Sequence, residues 1–306
     1  MTLGRSSGAW VWAIPLVFVL IWSTGFIVAR FGMPHSPPFS FLLLRFLLSI
    51  ACFLPWIWWA KVSWPQTRQQ WVHLSVTGIL IQACYLGGVW AAVKAGMGSG
   101  LSSLVVGIQP VLTAIWLSWM SRPSSDCEAP LPAVSLRQWL GLSLGFIGLL
   151  MVVWHKLSLS NPLDHVTPAN MLFAIGALLA ITAGTLYQKH FVQPCDVRTA
   201  NTVQLMASAV VILPLALLET EAIRWNGQLT GAMAWSVLGL TLGGSSLFYI
   251  LIQRGAAAAV TSLLYLVPPT TAVMAWFLFD ESITTLTLAG TALTALGVGL
   301  VVRSPR

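Results

Sequence analysis

The sequence predicts an all-α polytopic membrane protein with ten transmembrane helices, arranged as two inverted five-helix repeats. Three observations predict this fold: the composition, ten apolar stretches of spanning length, and residues that recur at a constant offset. Of the 306 residues, 57% are apolar and 8% are charged, and the mean hydropathy is +0.83. A soluble domain carries about 25% charged residues, because its exterior needs them to stay dispersed in water. The composition therefore excludes an ordinary soluble enzyme.

Ten stretches of the sequence have the length of a membrane span and almost no charge. A helix needs about 20 residues to cross the hydrocarbon core. The stretches cover residues 10–29, 39–60, 71–93, 97–120, 138–154, 168–188, 199–218, 231–253, 256–279 and 284–302. The first is too long for a signal-peptide core and ends without a convincing cleavage site, so we expect an uncleaved helix. Arg45 is the only formal charge well inside a span.

The lysines and arginines between the spans predict the orientation. With a cytoplasmic N-terminus, ten of the fifteen lie in inner segments, four lie in outer loops, and Arg45 completes the count. The inner ones are Arg5, Lys61, Arg68, Arg122, Arg137, Lys189, Arg198, Arg254, Arg303 and Arg306, and the outer ones are Arg30, Lys94, Lys156 and Arg224. Cytoplasmic loops carry the excess of positive charge. We therefore expect both termini in the cytoplasm of a bacterial inner membrane.

Charge and cysteine patterns argue against other kinds of site. The net charge is +7, but the basic residues are scattered singly and form no patch suited to a nucleic acid. The four cysteines, which include Cys127, lie far apart, without a C-x-x-C motif or a histidine at ligand spacing. Neither a metal site nor a disulfide framework is indicated. We expect no cofactor, and the partners are the lipid bilayer and a small molecule.

A constant offset relates the two halves of the chain. Adding 159 takes Gly25 to Gly184, Arg45 to Gln204 and Trp90 to Tyr249, and adding 158 takes Pro110 to Pro268. Residues 1–158 and 159–306 are therefore predicted to be two repeats of five helices each. Because five is odd, the second repeat enters the membrane in the opposite orientation. Inverted repeats of this kind are the basis of alternating access in many secondary transporters.

Several short motifs accompany this pattern. They are Trp22-Ser23-Thr24-Gly25-Phe26, Leu43-Leu44-Arg45-Phe46-Leu47, Gln109-Pro110-Val111-Leu112-Thr113 and Leu263-Leu264-Tyr265-Leu266-Val267-Pro268, followed by Asp280-Glu281. In this order and spacing the chain resembles the EamA-like ten-helix branch of the drug/metabolite transporter superfamily. The resemblance covers nearly the whole chain and implies a metabolite transporter, with export as the expected direction. It departs at Ser121-Arg122-Pro123, where similar proteins usually have an acidic residue.

Arg45 has two interpretations that the sequence leaves open. A charge inside a span costs at least about 2.5–3.5 kcal/mol unless it finds partners or reaches the interface. The guanidinium could bind a carboxylate or phosphate of a substrate, which its planar fork of donors suits. It could equally bond to helix-end carbonyls as a packing feature.

Polar and aromatic side chains recur at helical spacing on several spans. Such groups seek partners in hydrocarbon, either on a neighbouring helix or in a water-filled cavity. Interhelical hydrogen bonding accounts for part of them, and a central pocket for an amphipathic small molecule accounts for the rest. The predicted substrate-binding residues are Trp22, Arg45, Gln82, Tyr85, Trp90, Gln109, Tyr187, Ser245, Tyr249 and Tyr265.

Two prolines and a glycine face have structural and functional interpretations. Pro110 and Pro268 lie within spans at matching places, where each removes a backbone hydrogen bond and predicts a kink. Each kink could be a hinge or a static packing feature. The glycines at 141, 145 and 148 predict close helix packing, or a contact between two copies of the chain.

These observations favour a transporter of small polar or amphipathic metabolites, such as amino acids, that works by alternating access. All eight acidic residues fall outside the spans, so the usual membrane proton carrier is missing, and facilitated diffusion or exchange is favoured. The alternatives are a passive channel or uniporter and an intramembrane serine hydrolase. The hydrolase is prompted by Gly98-Ser99-Gly100, but no histidine lies mid-span to act as its base.

Overall fold

The computed structural model describes residues 9–120, 135–158, 167–254, 260, 262–279 and 285–302, and the regular secondary structure within these ranges is entirely helical. Its helices are α1 (Ala9–Gly32), α2 (Pro38–Trp59), α3 (Arg68–Lys94), α4 (Ser99–Val106), α5 (Gln109–Met120), α6 (Leu136–Ser158), α7 (Pro168–Phe191), α8 (Val197–Leu218), α9 (Gly227–Arg254), α10 (Val267–Phe279) and α11 (Thr285–Val302). A short 3₁₀ turn, Leu263–Leu266, precedes α10. The predicted features around Arg122, Cys127 and Asp280-Glu281 lie outside the described residues.

Six of the described helices are long and apolar enough to cross a membrane. They are α1 from residue 14 onward, α2, α3, α7, α8 and α9. Their outer faces carry large exposed apolar side chains, such as Leu20, Leu172 and Leu217. In water such a surface would be unfavourable, whereas lipid tails solvate it. The molecule is a polytopic membrane protein.

The starts of several helices follow from local sequence. Pro38 stands in the first turn of α2, where a missing N–H costs nothing. Thr167 caps α7, and Asn170 reciprocates by accepting a hydrogen bond from the Thr167 N–H, which forms a capping box. The Asp196 carboxylate accepts a hydrogen bond from the Arg198 N–H at the start of α8.

The fourth predicted span is broken into two helices. α4 ends at Val106 and α5 begins at Gln109, so Pro110 occupies the first turn of a new helix. The ninth predicted span behaves in a similar way, because Pro268 is the second residue of α10 and follows the 3₁₀ turn. The structure thus confirms a break beside each proline, and the physical cause is the N–H that proline lacks.

Two regions of π-helix interrupt otherwise α-helical spans. They are Ile79–Tyr85 in α3 and Ser236–Ser245 in α9. Each π turn is wider than an α turn, so the side chains that follow it are displaced from the α-helical register. Such segments often occur at functional sites.

Glycine allows α6 and α11 to pack backbone against backbone. A Cβ atom at Gly148 would lie 2.5 Å from the Gly290 carbonyl oxygen, and one at Gly297 would lie 2.5 Å from the Gly141 carbonyl oxygen. Thr294 on α11 lies 3.5 Å from the Gly145 carbonyl. The predicted close packing of this glycine face is confirmed. The same face cannot also contact a second copy of the chain while α11 covers it.

The other helix contacts occur in matching pairs. α2 packs along α8. α3 packs on α7, while α9 packs on α1. α4 and α5 contact α7, while α10 contacts α1.

The two ends of the bundle are joined by different polar contacts. At one end, here called the Glu219 end, Lys94 forms an ion pair of 2.7 Å with Glu221, and the Arg224 N–H donates to the His35 carbonyl over 2.8 Å. At the opposite end, here called the Asp196 end, the Lys189 ammonium donates to the Gln253 carbonyl over 3.2 Å. Connections that the sequence predicts on the same side of the membrane therefore contact one another at the same end of the bundle.

Candidate substrate-binding site

A narrow cavity lies between α1, α2, α3 and α9. Its volume is about 30 Å³, which is room for one or two water molecules. Its lining is mostly apolar or aromatic and includes residues of both predicted halves. The lining residues are Trp22, Gly25, Phe26, Arg45, Ile81, Gln82, Tyr85, Leu86, Val89, Trp90, Leu240 and Ser245.

Arg45 is the charged residue of this lining. Its side chain is 2% exposed, and its Nε donates to the Thr241 hydroxyl over 2.9 Å. Within the described part of the chain, one terminal nitrogen of the guanidinium has no hydrogen-bond partner. A buried donor without a partner is costly, and a charged one more so. The packing interpretation therefore leaves part of the guanidinium unexplained.

Aromatic rings form one wall of the cavity. The rings of Trp22 and Tyr85 stack with centroids 6.3 Å apart and an angle of 2° between their planes. Trp22 also contacts Phe18 and Phe248, with centroids 5.2 and 5.1 Å away. Such contacts add to the apolar burial of each ring and fix the shape of the wall.

The two π-helical segments meet across the cavity. The Gln82 amide in α3 donates to the Ser245 hydroxyl in α9 over 3.3 Å, and Thr241 in the same α9 segment receives the bond from Arg45. The hydroxyls of Thr241 and Ser245 each donate to the carbonyl five residues earlier, on Ser236 and Leu240. The polar groups of the site are thus placed by backbone that departs from the α-helix.

Six of the ten predicted binding residues line this cavity. They are Trp22, Arg45, Gln82, Tyr85, Trp90 and Ser245. Trp90 also stacks on Phe41, with centroids 4.6 Å apart, so part of its surface serves packing.

The other four predicted residues lie elsewhere. Gln109 donates to the Thr185 hydroxyl over 3.1 Å and so joins α5 to α7. Tyr187 pairs with His73 over 2.7 Å at the Asp196 end. The remaining two are Tyr249, which follows the π-helical segment of α9, and Tyr265, which lies within the 3₁₀ turn before α10.

Tyr249 and Tyr265 pack away from the cavity. The Tyr249 hydroxyl lies 3.2 Å from the Cys195 sulfur, and the Tyr265 ring lies against Gly145, where a Cβ would be only 2.7 Å from it. Tyr249 was expected to share a face with Ser245, four residues earlier. The π turn that ends at Ser245 shifts the register that this spacing assumed.

Sequence reasoning missed part of the site. Thr241 falls on the polar face of α9 and stands four residues before Ser245, but only the structure shows that it bonds to Arg45. The apolar lining residues Ile81, Val89 and Leu240 carry no signal that separates them from core residues.

The described residues bear on two further kinds of site, a serine hydrolase centre and a metal site. Ser99 begins α4, but its side chain is not among those described. Among the described residues, no three His, Cys, Asp or Glu side chains lie close enough together to hold a metal ion.

The chain is similar to several bacterial and archaeal transporters along most of its length. It is 22% identical to an uncharacterized transporter of Archaeoglobus fulgidus, with 92% of this chain and 93% of that protein covered. It is 24% identical to a probable amino-acid metabolite efflux pump of Salmonella typhimurium, with coverage of 93% and 92%. It is 23% identical to the uncharacterized inner membrane transporter YedA of Escherichia coli K12, with coverage of 81% and 76%.

A solved crystal structure has the same fold. It superposes with a TM-score of 0.73 at 16% identity and covers 94% of this chain and 96% of the other. The model of the EamA-like transporter family matches this chain over residues 9–154 and again over residues 169–303. By this match, which covers most of the sequence in two consecutive segments, the chain belongs to the EamA-like transporter family.

Proposed function

We propose that this protein is a secondary transporter of the bacterial inner membrane, which moves small polar or amphipathic metabolites by alternating access. The cavity beside Arg45 is the observation that carries the proposal. It lies between helices of both halves and contains a buried cation with an unused donor. A ligand bound there would touch both halves, so their relative movement would carry it across the membrane.

Ten spans in two inverted repeats, residues 1–158 and 159–306, are part of this proposal. The family model matches each half separately. The offset of 159 takes the π-helical segment Ile79–Tyr85 to residues 238–244, which lie within the π-helical segment Ser236–Ser245. The broken helices beside Pro110 and Pro268 correspond in the same way. Packing of α3 on α7 and of α9 on α1 is the reciprocal exchange that a two-fold relation requires.

Both termini are proposed to lie in the cytoplasm. The Asp196 end would then be the inner end, where Lys61, Arg68, Lys189 and Arg254 lie, as the positive-inside rule expects. The Glu219 end would be the outer end. A relative named as an inner membrane transporter supports the choice of membrane.

The structure has the features of a contracted state. A cavity of about 30 Å³ is smaller than the several hundred Å³ of a metabolite site, so the helices must separate before a substrate enters. At the outer end, the Glu219 carboxylate accepts hydrogen bonds from the Phe39 N–H (2.9 Å), the Ser40 N–H (2.7 Å) and the Ser40 hydroxyl (2.7 Å). These contacts join the two halves and would break when the cavity opens outward.

The prolines are proposed as hinges for this movement. Each stands in the first turn of a half-helix, where the preceding turn lacks a regular hydrogen-bond ladder. α5 contacts α7 of the opposite half, and α10 contacts α1. Bending at Pro110 or Pro268 would therefore change how the halves lie against one another.

Amino acids and related metabolites are the proposed cargo, and export is the proposed direction. A relative from Salmonella typhimurium is named a probable amino-acid metabolite efflux pump, which supports both. Because the acidic residues lie outside the predicted spans, exchange or facilitated diffusion is proposed rather than carboxylate-driven proton exchange.

Flux into proteoliposomes tests the proposed function. The purified full chain is reconstituted, and uptake of a panel of radiolabelled amino acids and organic acids is measured against empty liposomes. We expect saturable uptake that unlabelled substrate inside the vesicle accelerates, since a carrier exchanges its cargo. Uptake without saturation or acceleration would indicate a channel, and no protein-dependent flux for any compound would overturn the proposal.

A further inference from the structure

The cavity has a positive charge that no neighbouring group neutralises. Arg45 is 2% exposed, and within the described part of the chain its guanidinium donates a hydrogen bond to the neutral hydroxyl of Thr241. Among the described residues that line the cavity, none is acidic, and the remaining polar side chains are the neutral amide of Gln82, the hydroxyls of Tyr85 and Ser245, and the indole N–H groups of Trp22 and Trp90. A buried charge of this kind is stabilised by a counterion that reaches it and accepts its unused hydrogen bonds.

The unused donor sets the chemistry of that counterion. One terminal nitrogen of the Arg45 guanidinium is buried without a partner, while its Nε is bound. A guanidinium pairs with a carboxylate through geometrically matched, charge-assisted hydrogen bonds. The geometry is therefore suited to one carboxylate, which would lie against the free edge of the guanidinium.

The rest of the lining suits an apolar body without a second charge. Phe26, Ile81 and Leu240 add hydrocarbon to the lining of the cavity. An ammonium group could be held by a carboxylate or by the open face of an aromatic ring, but the lining has no carboxylate. Each of its two tryptophans also has one face in contact with another ring, Trp22 with Tyr85 and Trp90 with Phe41, which leaves less aromatic surface for a cation.

We propose that the cavity selects organic monoanions, in which one carboxylate is attached to an apolar body, over zwitterions and cations of the same shape. This inference rests on the proposed transport of small polar or amphipathic metabolites and deepens it, because within that class it favours carboxylates without an ammonium group over the amino acids themselves. Arg45 is the residue that makes the selection, by binding the carboxylate directly.

The experiment compares four ligands that share a phenyl ring and differ in charge. They are hydrocinnamate (anion), phenylalanine (zwitterion), phenethylamine (cation) and phenylpropanol (neutral). Binding to the purified full chain is measured by calorimetry in chloride-free buffer. We expect hydrocinnamate to bind at least about tenfold more tightly than each of the others, as a charge-assisted hydrogen bond to a desolvated guanidinium allows.

Three variants assign the selection to Arg45. Arg45→Gln should bind hydrocinnamate no better than phenylpropanol, and Arg45→Lys should keep part of the preference because it keeps the charge but loses the fork. Arg254→Gln, which removes an arginine from the exposed end of α9, should leave the preference unchanged. If the Arg45 variants do not fold, the comparison of the four ligands on the wild-type protein still tests the inference.

The outcomes separate this inference from the proposed function. Equal or tighter binding of phenylalanine or phenethylamine, or an anion preference that survives Arg45→Gln, overturns the inference. Displacement of hydrocinnamate by chloride at matched concentration also overturns it, because the site would then be one for inorganic anions. Selective binding of hydrocinnamate without flux into proteoliposomes supports the inference and contradicts transport, whereas flux of phenylalanine with no anion preference does the reverse.

Discussion

The helices α2 and α8, which the proposed repeat makes equivalent, carry different side chains at corresponding positions. Both have 22 residues, and the offset of 159 takes both bounds of Pro38–Trp59 to those of Val197–Leu218. They also pack along one another. At the corresponding position inside each, α2 has Arg45, which lines the cavity, and α8 has Gln204, which is not among the residues that line it. In the proposed repeat, the two helices thus match in length, while the proposed binding group is present in one half only.

The surroundings of the two side chains explain this difference. The backbone of Gln204 lies so close to Gly78 that a Cβ at Gly78 would overlap it. Arg45 instead lies beside the π-helical segment of α9, where Thr241 and Ser245 offer hydroxyls. Close packing of α3 on α8 therefore occupies the space that a second cavity would need.

The start of each helix differs as well. The N-terminus of α8 is capped by its own neighbour Asp196, whereas the N-terminus of α2 receives the carboxylate of Glu219 from the end of α8. Negative charge at a helix N-terminus is favourable in both cases, because the free N–H groups point toward it. Only the second contact joins the two halves, so only that one must change if they move apart.

Moving the arginine from α2 to α8 should have the largest effect on the stability of the protein. Gln204 is 3% exposed, and its backbone is packed closely against Gly78, so Gln204→Arg buries a charge in a tightly packed place. We expect a loss of at least about 2.5 kcal/mol in stability, seen as a lower melting temperature in detergent. The exchanged variant, Arg45→Gln with Gln204→Arg, should not recover anion binding. Wild-type binding by that variant would mean that the halves are interchangeable.

Removing the charge that joins the halves should have a smaller effect. Glu219→Gln keeps one acceptor for the α2 N-terminus but loses the charge, at an expected cost of about 1 kcal/mol. We also expect outward opening to increase, measured as faster labelling of a Ser245→Cys reporter by an impermeant thiol reagent in a background without the native cysteines. The control is Glu221→Gln, whose partner Lys94 is partly exposed, so that the pair contributes little. Equal labelling in both variants would contradict the role of Glu219.

Removing the charge of Asp196, which caps the N-terminus of α8, should have the smallest effect on stability, and that effect should depend on pH. Hydrogen bonds from the Arg198 side chain and backbone, together with its charge, hold the pKa of Asp196 below its ordinary value, against the smaller effect of burial. A carboxylate with a lowered folded-state pKa adds stability above its unfolded pKa of about 4, and this stability is lost as the pH falls through the lowered value. Asp196→Asn should therefore reduce the melting temperature slightly at neutral pH, and the difference from wild type should vanish in acid. A difference in melting temperature that persists in acid would mean that the shape of the Asp196 side chain, and not its charge, causes the effect.

The sequence predicted the bounds of α2 and α8 well because the start of each helix has a local chemical cause. The predicted spans 39–60 and 199–218 differ from α2 and α8 by no more than two residues at either end. Proline at Pro38 and a capping carboxylate at Asp196 mark these starts. Arg45 was singled out because an isolated charge in an apolar run must be compensated.

The arrangement of side chains around Arg45 could not be predicted from periodicity. The π-helical segments in α3 and α9 result from tertiary packing, and no residue pattern marks where a π turn begins. Spacing of four residues therefore placed Tyr249 with Ser245, whereas Tyr249 contacts Cys195. Tyr265 was placed in the pocket as one of the aromatic residues at helical spacing, but its ring packs against the small surface of Gly145.

The glycine contact between α6 and α11 also has a consequence for biogenesis. The two helices pack backbone against backbone, yet four helices, α7 to α10, are synthesised between them. While the ribosome synthesises α7 to α10, α6 already exists but its partner α11 does not. The flat glycine strip on α6 is then covered by lipid alone, so correct assembly requires that no other newly inserted helix settles there first.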